Sequence, residues 1–338
     1  MQQVLNEYGF PGKGSVIRPL GNGLINATWL VESNNKKYVL QKINRDVFSS
    51  PEDIAYNIRL LANYFREQHP GYLFTEPLHT LAGEDMARSG NEYFRVFPFV
   101  EDSHSIDVVQ KPSQAYEAAR QFGRFTRLLA GFDASQLKTT LPAFHDLSLR
   151  YRQFEEALQK GNKERIERSA ELIAFLQANR DIVTAYESGK TRLTIRCIHH
   201  DTKISNVLFD DNDKGLCVID LDTVMPGFFI SDVGDMMRTY LSPVSEEEKD
   251  LSLVTVRKEF YEAIKEGYLS EMGDVLNDFE REYFNYAGRF MIYMQALRFL
   301  TDHLNNDAYY GAKYEDHNFV RASNQAVLLQ RYREFTPC

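Results

Sequence analysis

The chain has 338 residues, 43% of them hydrophobic and 26% charged, with a net charge of −9. That length favours two lobes over a single compact core. The acidic balance gives no basic footprint for nucleic acid or for an anionic membrane. Cys197, Cys217 and Cys338 are too few and too scattered for a disulfide framework or a metal-ligand cluster. Cys197 and Cys217 lie in apolar runs and are expected as reduced, buried thiols of a cytoplasmic protein. Met1 to Glu7 has no charged segment leading into an apolar one, so it does not read as a signal peptide. No apolar run approaches membrane-spanning length.

Residues 1 to 10 predict a short helix that stops at Pro11-Gly12. Val16 to Val31 reads as strand, glycine-rich turn, strand, and Lys37 to Ile43 as a third strand. Gly21 and Gly23 would let backbone amides approach phosphate oxygens, although a plain hairpin accounts for them equally. Lys42 falls on the strand after the hairpin, where kinase-like folds hold the α- and β-phosphates; a lysine on a solvated strand face is the alternative. Ser50 and Pro51 open a helix whose apolar face is Ile54, Ile58, Leu61 and Phe65. Where such folds carry a glutamate pairing with the lysine, this chain has Tyr56-Asn57-Ile58, so Asn57 is the candidate partner of Lys42. Strands are expected at Gly71 to Phe74 and Glu92 to Val100. Glu101-Asp102-Ser103 then marks a linker, so the first lobe spans 1–100 and a hinge 101–105. Phe99 and Val100 are expected to line a nucleotide pocket there, or simply to pack in the core.

The second lobe, 106–338, opens with a helix from Gln114 to Leu129. Asp146 caps the next helix, and a helical hairpin is expected at about 146–190. His145, in the Pro-flanked loop before that cap, is a candidate substrate contact. The histidines show no metal-binding spacing.

The chemistry is concentrated in Ile198-His199-His200-Asp201-Thr202-Lys203-Ile204-Ser205-Asn206 and the later Val218-Ile219-Asp220-Leu221-Asp222. His-x-Asp-x-x-x-x-Asn followed by an apolar strand ending in Asp is the catalytic arrangement of kinase-like phosphotransferases. Such chemistry asks the protein for positioning and charge neutralisation. Asp201 can orient an acceptor hydroxyl and take its proton. Asn206 and Asp220 offer hard oxygen ligands for Mg²⁺, and Asp222 would share Asp220's side of an extended strand. His199 is expected to brace the loop, and Lys203 to help neutralise the transferring phosphate. Turn-forming aspartates alone could give parts of this pattern, but not the whole conjunction.

On these residues, with Gly21 to Thr28, Phe144-His145-Asp146, Asp222-Thr223-Val224-Met225-Pro226-Gly227, Asp232-Val233-Gly234-Asp235 and Arg298-Phe299-Leu300-Thr301-Asp302, the chain resembles the aminoglycoside phosphotransferase and choline kinase superfamily over nearly its whole length. More narrowly it resembles the N-acetylhexosamine 1-kinase group. The resemblance implies an α+β, bilobal, protein-kinase-like fold with a small β-rich first lobe and a larger, mainly helical second one. It implies ATP as co-substrate, Mg²⁺, and transfer of phosphate to the anomeric hydroxyl of a sugar such as N-acetylglucosamine or N-acetylgalactosamine. That hydroxyl is more acidic than an ordinary alcohol, so a modest base suffices. Asn26 and Thr28 would accompany Gly21, Gly23 and Lys42 at the nucleotide. Asp232 and Asp235 would brace the catalytic loop. Arg298 would contact the sugar, or else form a salt bridge to Asp302. An amino alcohol, an aminoglycoside or another sugar stands as the alternative acceptor, and a non-catalytic nucleotide-binding module as the alternative function. The absence of Asp-Phe-Gly argues against a protein kinase.

Overall fold

The structure, a computed structural model, describes residues 1–10, 15–20 and 25–336. Gly21, Gly23 and Cys338 lie outside the described residues. In chain order the first elements are α1 (Gln2–Glu7), β1 (Val16–Pro19), β2 (Ala27–Ser33), β3 (Lys36–Lys42), α2 (Pro51–Gln68), β4 (Ala87–Ser89), β5 (Glu92–Pro98) and β6 (His104–Ser105). Then come α3 (Pro112–Leu128), α4 (Leu147–Lys160), α5 (Lys163–Arg168), α6 (Ala170–Ala178), α7 (Asp181–Gly189), β7 (Arg196–Ile198), β8 (Val207–Phe209), β9 (Gly215–Val218) and β10 (Met225–Gly227). The remainder is helical: α8 (Phe229–Tyr240), α9 (Lys258–Met272), α10 (Asp278–Glu282), α11 (Phe284–Leu304) and α12 (His317–Phe335). No helix among the described residues is long and apolar enough to cross a membrane.

The chain divides into two compact units, residues 1–104 with 132–142 and 208–225, and residues 105–131 with 143–207 and 226–338. The first is built on an antiparallel sheet in the order β1-β2-β3-β5-β4. Because side chains alternate along a strand, Leu40, Phe94 and Val96 pack with Val4, Leu5, Tyr8 and Phe10 on one face. Gln41 and Arg95, paired across β3 and β5, belong to the other face. α2 starts with Pro51 at its first position and buries Ile54, Ile58, Leu61 and Phe65 as the spacing predicts. The strand expected at Gly71 to Phe74 does not form. Tyr72 and Phe74 stack on Phe65, at 4.6 and 5.0 Å between ring centroids, so that run packs through its rings instead of joining a ladder. The sheet is completed by β4, which the sequence pattern did not mark.

The second unit is mainly helical. Asp146 caps α4 as expected, its carboxylate accepting the Leu149 N–H at 3.0 Å. The return arm of the hairpin breaks at Ser169 into α5 and α6, and α7 follows. α8 lies against α11 so closely that a Cβ at Gly234 would collide with the Ala287 carbonyl.

Candidate active site

In the second unit, the loop from His199 to Lys203 leaves β7 with His200 at φ 67°. This left-handed backbone turns several amides inward, and buried amides need acceptors. The first turns of α8 supply them. Asp232 accepts the N–H groups of His199 at 3.0 Å and His200 at 2.7 Å, and Asp235 accepts that of Thr202 at 2.9 Å. The Thr202 hydroxyl donates to the Asp232 carbonyl at 2.7 Å, and Tyr240 donates to the Thr202 carbonyl at 2.5 Å. Burial pushes the Asp232 carboxyl up to about 6, with His199 and the two amides opposing it. The buried His199 ring lies edge-on to Phe122, at 5.1 Å, and accepts the Asp201 N–H at 3.4 Å. A Cβ on Gly227 would stand 2.5 Å from the His200 ring, so glycine there is a matter of space.

Asp201 points its Oδ2 at Lys203 Nζ, 2.9 Å away, and at Asn206 Nδ2, 3.1 Å away. Burial would raise its carboxyl, but Lys203, His199 and the Asn206 amide outweigh burial and hold it below the ordinary carboxylate range. It is therefore ionised near neutrality and able to accept a proton. Asn206 also donates to the Asp201 carbonyl at 2.9 Å. Both of its contacts are acceptors, so the amide nitrogen is fixed there and the oxygen is the atom left to meet a cation.

In the first unit the expected extended strand through Asp222 ends early. β9 stops at Val218, Asp220 takes φ 62°, and Leu221 to Thr223 form a 3₁₀ turn. Asp220 and Asp222 therefore do not share one side of a strand, because the left-handed residue reverses the alternation. Asp222 is committed. Its Oδ1 lies 2.5 Å from Arg95 Nη2, with both side chains about 2% exposed. Its Oδ2 accepts from Asn26 Nδ2 at 2.8 Å, and its carbonyl accepts from Thr140 at 2.8 Å. Gln41 Oε1 accepts from the same Nη2 at 2.9 Å and from Nε at 3.1 Å, while the buried Nη1 meets no hydrogen-bond acceptor among the described residues. Asn26 also accepts the Asn44 N–H at 3.0 Å, and Thr28 accepts from Gln41 at 3.4 Å.

Lys42 stands elsewhere. It meets Glu92 at 2.9 Å, and both side chains are more than a third exposed. Asn57 does not reach it, since its amide holds the Lys138 backbone at both N–H and C=O, at 2.8 Å each, and the Val224 carbonyl at 3.2 Å. Phe99 and Val100, with Leu73, Phe74, Pro77 and Pro98, line a cavity of about 530 Å³ in the first unit.

Arg298 does not pair with Asp302, whose carboxylate is taken by the N–H groups of Tyr309 and Tyr310, at 2.7 and 2.9 Å, and by Asn318 at 3.1 Å. A capped turn, which the sequence does not announce, displaces the expected i,i+4 bridge. The guanidinium keeps one hydrogen bond, to Gln295 at 3.3 Å, and sits 5.4, 5.9 and 5.5 Å from the rings of Phe144, Tyr309 and Tyr310. With Arg150, Gln153 and Asp302 these tyrosines line a cavity of about 380 Å³. Phe144 stacks on His145 at 4.2 Å, and His145 Nδ1 lies 3.3 Å from His200 Nδ1. Burial, then His200, Arg298 and Arg150, push His145 well below its usual range, so it is neutral.

The sequence reading passed over Arg95, Thr140 and Glu246. Arg95 had a signal, as the one charge inside Tyr93-Phe94-Arg95-Val96-Phe97. The other two had none. Among the described residues no three His, Cys, Asp or Glu side chains converge as a metal site. A cation arriving on nucleotide phosphates needs few protein ligands, and the hard oxygens of Asn206 and Asp220 suit Mg²⁺.

A five-stranded antiparallel sheet with α2 beside it, followed by a mainly helical unit carrying this loop, defines the kinase-like α+β fold. Solved structures of that fold agree. A microcompartment-associated aminopropanol kinase is 18% identical with TM-score 0.67, covering 99% of this chain and 97% of that one. A spectinomycin phosphotransferase solved with ADP and spectinomycin is 13% identical with TM-score 0.61, covering 98% and 97%. A Plasmodium vivax ethanolamine kinase is 14% identical with TM-score 0.60, covering 95% and 83%. At these identities the likeness bears on the fold alone. The sequence model of the phosphotransferase enzyme family matches residues 16–279, and the chain belongs to that family.

Proposed function

We propose that this protein is an ATP- and Mg²⁺-dependent small-molecule kinase that phosphorylates the anomeric hydroxyl of an N-acetylhexosamine. The acceptor oxygen attacks the γ-phosphorus, the bond from that phosphorus to the β–γ bridging oxygen breaks, and ADP leaves. Asp201 takes the hydroxyl proton. Asn206 and Asp220 are assigned to hold the Mg²⁺ that neutralises phosphate charge. Lys203 neutralises charge beside Asp201. Asp222, already bound to Arg95 and Asn26, anchors the turn that carries Asp220.

The observation that carries the acceptor class is Arg298, a guanidinium with no carboxylate partner among the described residues, ringed by Phe144, Tyr309 and Tyr310. Of the carboxylates lining the cavity, Asp302 is held by amides, and Glu156 is exposed and loosely paired with Lys160 at 3.7 Å. A cationic amino alcohol or aminoglycoside would meet Arg298 without compensation, at a cost of about 1–4 kcal/mol for charges ~4 Å apart. A neutral sugar can use the same guanidinium as a donor and stack on the rings.

The test is ADP release with ATP and Mg²⁺ over a panel of hexosamines, neutral sugars, choline, ethanolamine and aminoglycosides. Turnover of N-acetylhexosamines above the rest is expected. Turnover confined to the amines would overturn the sugar assignment, and bound ATP without any turnover would favour a nucleotide-binding module.

A further inference from the structure

Asp235 is engaged twice. One oxygen holds the Thr202 N–H of the catalytic loop, and the other accepts Arg238 Nε at 3.1 Å. Arg238 continues outward to Glu246, Nη1 to Oε2, at 2.6 Å. Glu246 in turn accepts two bonds from Arg321 on its other oxygen, from Nη2 and, at 3.1 Å, from Nε. Arg321 donates to Asn318 Oδ1 at 3.1 Å, and its guanidinium lies 3.7 Å from the Phe299 ring centroid and 5.2 Å from that of Tyr310. Asn318 donates to Asp302, which holds the backbone of Tyr309 and Tyr310. A continuous run of ion pairs and hydrogen bonds, charged from Asp235 to Arg321 and completed through the neutral Asn318, therefore joins the amide beside Asp201 to the aromatic wall around Arg298.

Glu246 is the middle of that run and its only member outside regular structure, in the segment between α8 and α9. The segment is itself pinned. Asn324 of α12 donates to the Ser245 carbonyl at 3.1 Å, and Lys313 meets Glu247 at 2.7 Å. Burial would raise the Glu246 carboxyl, but Arg238 and Arg321 hold it below the usual range. Loss of this one anion would leave Arg238 with Asp235 alone and Arg321 without its carboxylate, and so cut the link between the two ends of the run.

We propose that Glu246 is a positioning residue that keeps the Asp201 loop in register with the acceptor wall formed by Tyr309 and Tyr310. It touches neither substrate. It sets the distance between the group that takes the proton and the surface that seats the acceptor, so its removal is felt in turnover and acceptor binding more than in nucleotide binding. The proposal rests on the Arg298 surroundings being the acceptor site, whatever the acceptor's identity.

The experiment measures steady-state kinetics of Glu246→Gln, Arg298→Lys and the double variant on the best acceptor of the panel, beside thermal unfolding of each. Glu246→Gln is expected to lower kcat at least tenfold and raise the acceptor KM severalfold, with the ATP KM within twofold. The double variant is expected to lose much less than the product of the single losses, because a wall already out of register gains little from Arg298. Unchanged kinetics in Glu246→Gln, with only a lower unfolding temperature, would overturn the proposal, as would losses that multiply. If Arg298→Lys leaves the acceptor KM untouched, the acceptor site lies elsewhere. In that case a kcat loss in Glu246→Gln would report on the loop alone, and the register proposal would be overturned with the site. Glu246→Asp, which keeps the charge but is too short to span both arginines, should resemble Glu246→Gln.

Discussion

Arg95 Nη2 and Asp222 Oδ1 lie 2.5 Å apart, and each side chain is about 2% exposed. The pair ties the middle of β5 to the turn that follows Asp220, with Gln41 accepting from the guanidinium and Asn26 donating to the carboxylate. Removing one member strands the other as a buried charge, a loss of about 3–5 kcal/mol. Arg95→Met and Asp222→Asn should each show that order of loss in urea unfolding. The double variant should recover part of it. Additive losses would mean the ions are solvated independently.

Lys42→Met should behave very differently. Its ion pair with Glu92 is largely exposed, and such pairs contribute about 0–1 kcal/mol. Stability should change by less than ~1 kcal/mol, and the ATP KM by less than about threefold. A large rise in the ATP KM would assign Lys42 to the nucleotide phosphates.

Asp201→Asn keeps the size and the hydrogen bond to Lys203 or Asn206 but removes the proton acceptor. Turnover should fall by at least a hundredfold, on the scale of general-base catalysis. Nucleotide affinity, measured by calorimetry, should stay within a few fold. Full activity would remove Asp201 from the chemistry.

Arg298→Ala should raise the acceptor KM at least tenfold while leaving the ATP KM and the unfolding temperature nearly unchanged. The insensitivity of stability follows from the missing carboxylate partner, since Asp302 is satisfied by the backbone of Tyr309 and Tyr310. A stability loss without a change in acceptor KM would assign Arg298 to packing.

His145 is held well below its usual range by burial and by His200, Arg298 and Arg150. The unfolded chain binds a proton at this position near pH 6.5 and the folded one does not. Its contribution to stability is therefore complete above that pH and is lost as pH falls below it. His145→Gln should lose less stability than the parent chain between pH 7.5 and 5.5 in chemical unfolding. Equal losses would place the acid-sensitive group elsewhere.

The sequence by itself determined the local elements with strong signals. These include the first three strands, the Pro51 helix and its apolar face, the Asp146 cap, and the loop that carries Asp201 and Asn206. Each follows from periodicity, capping or spacing, which act over a few residues. It also determined the family, because the polar residues of 198–222 keep their order between apolar strands. Only the tertiary structure decided which side chains pair across distance. Strand parity put Lys42 on the face with Leu40 and gave the opposite face to Gln41 and Arg95, so the buried cation on that face is an arginine from β5. A left-handed residue at Asp220 changed where Asp222 points, and a backbone turn took Asp302 away from Arg298. The run from Asp235 through Arg238, Glu246 and Arg321 joins residues from different helices and a connecting segment. Its physical cause, the cost of leaving any one of those charges unpaired in a half-buried setting, exists only once the chain has folded.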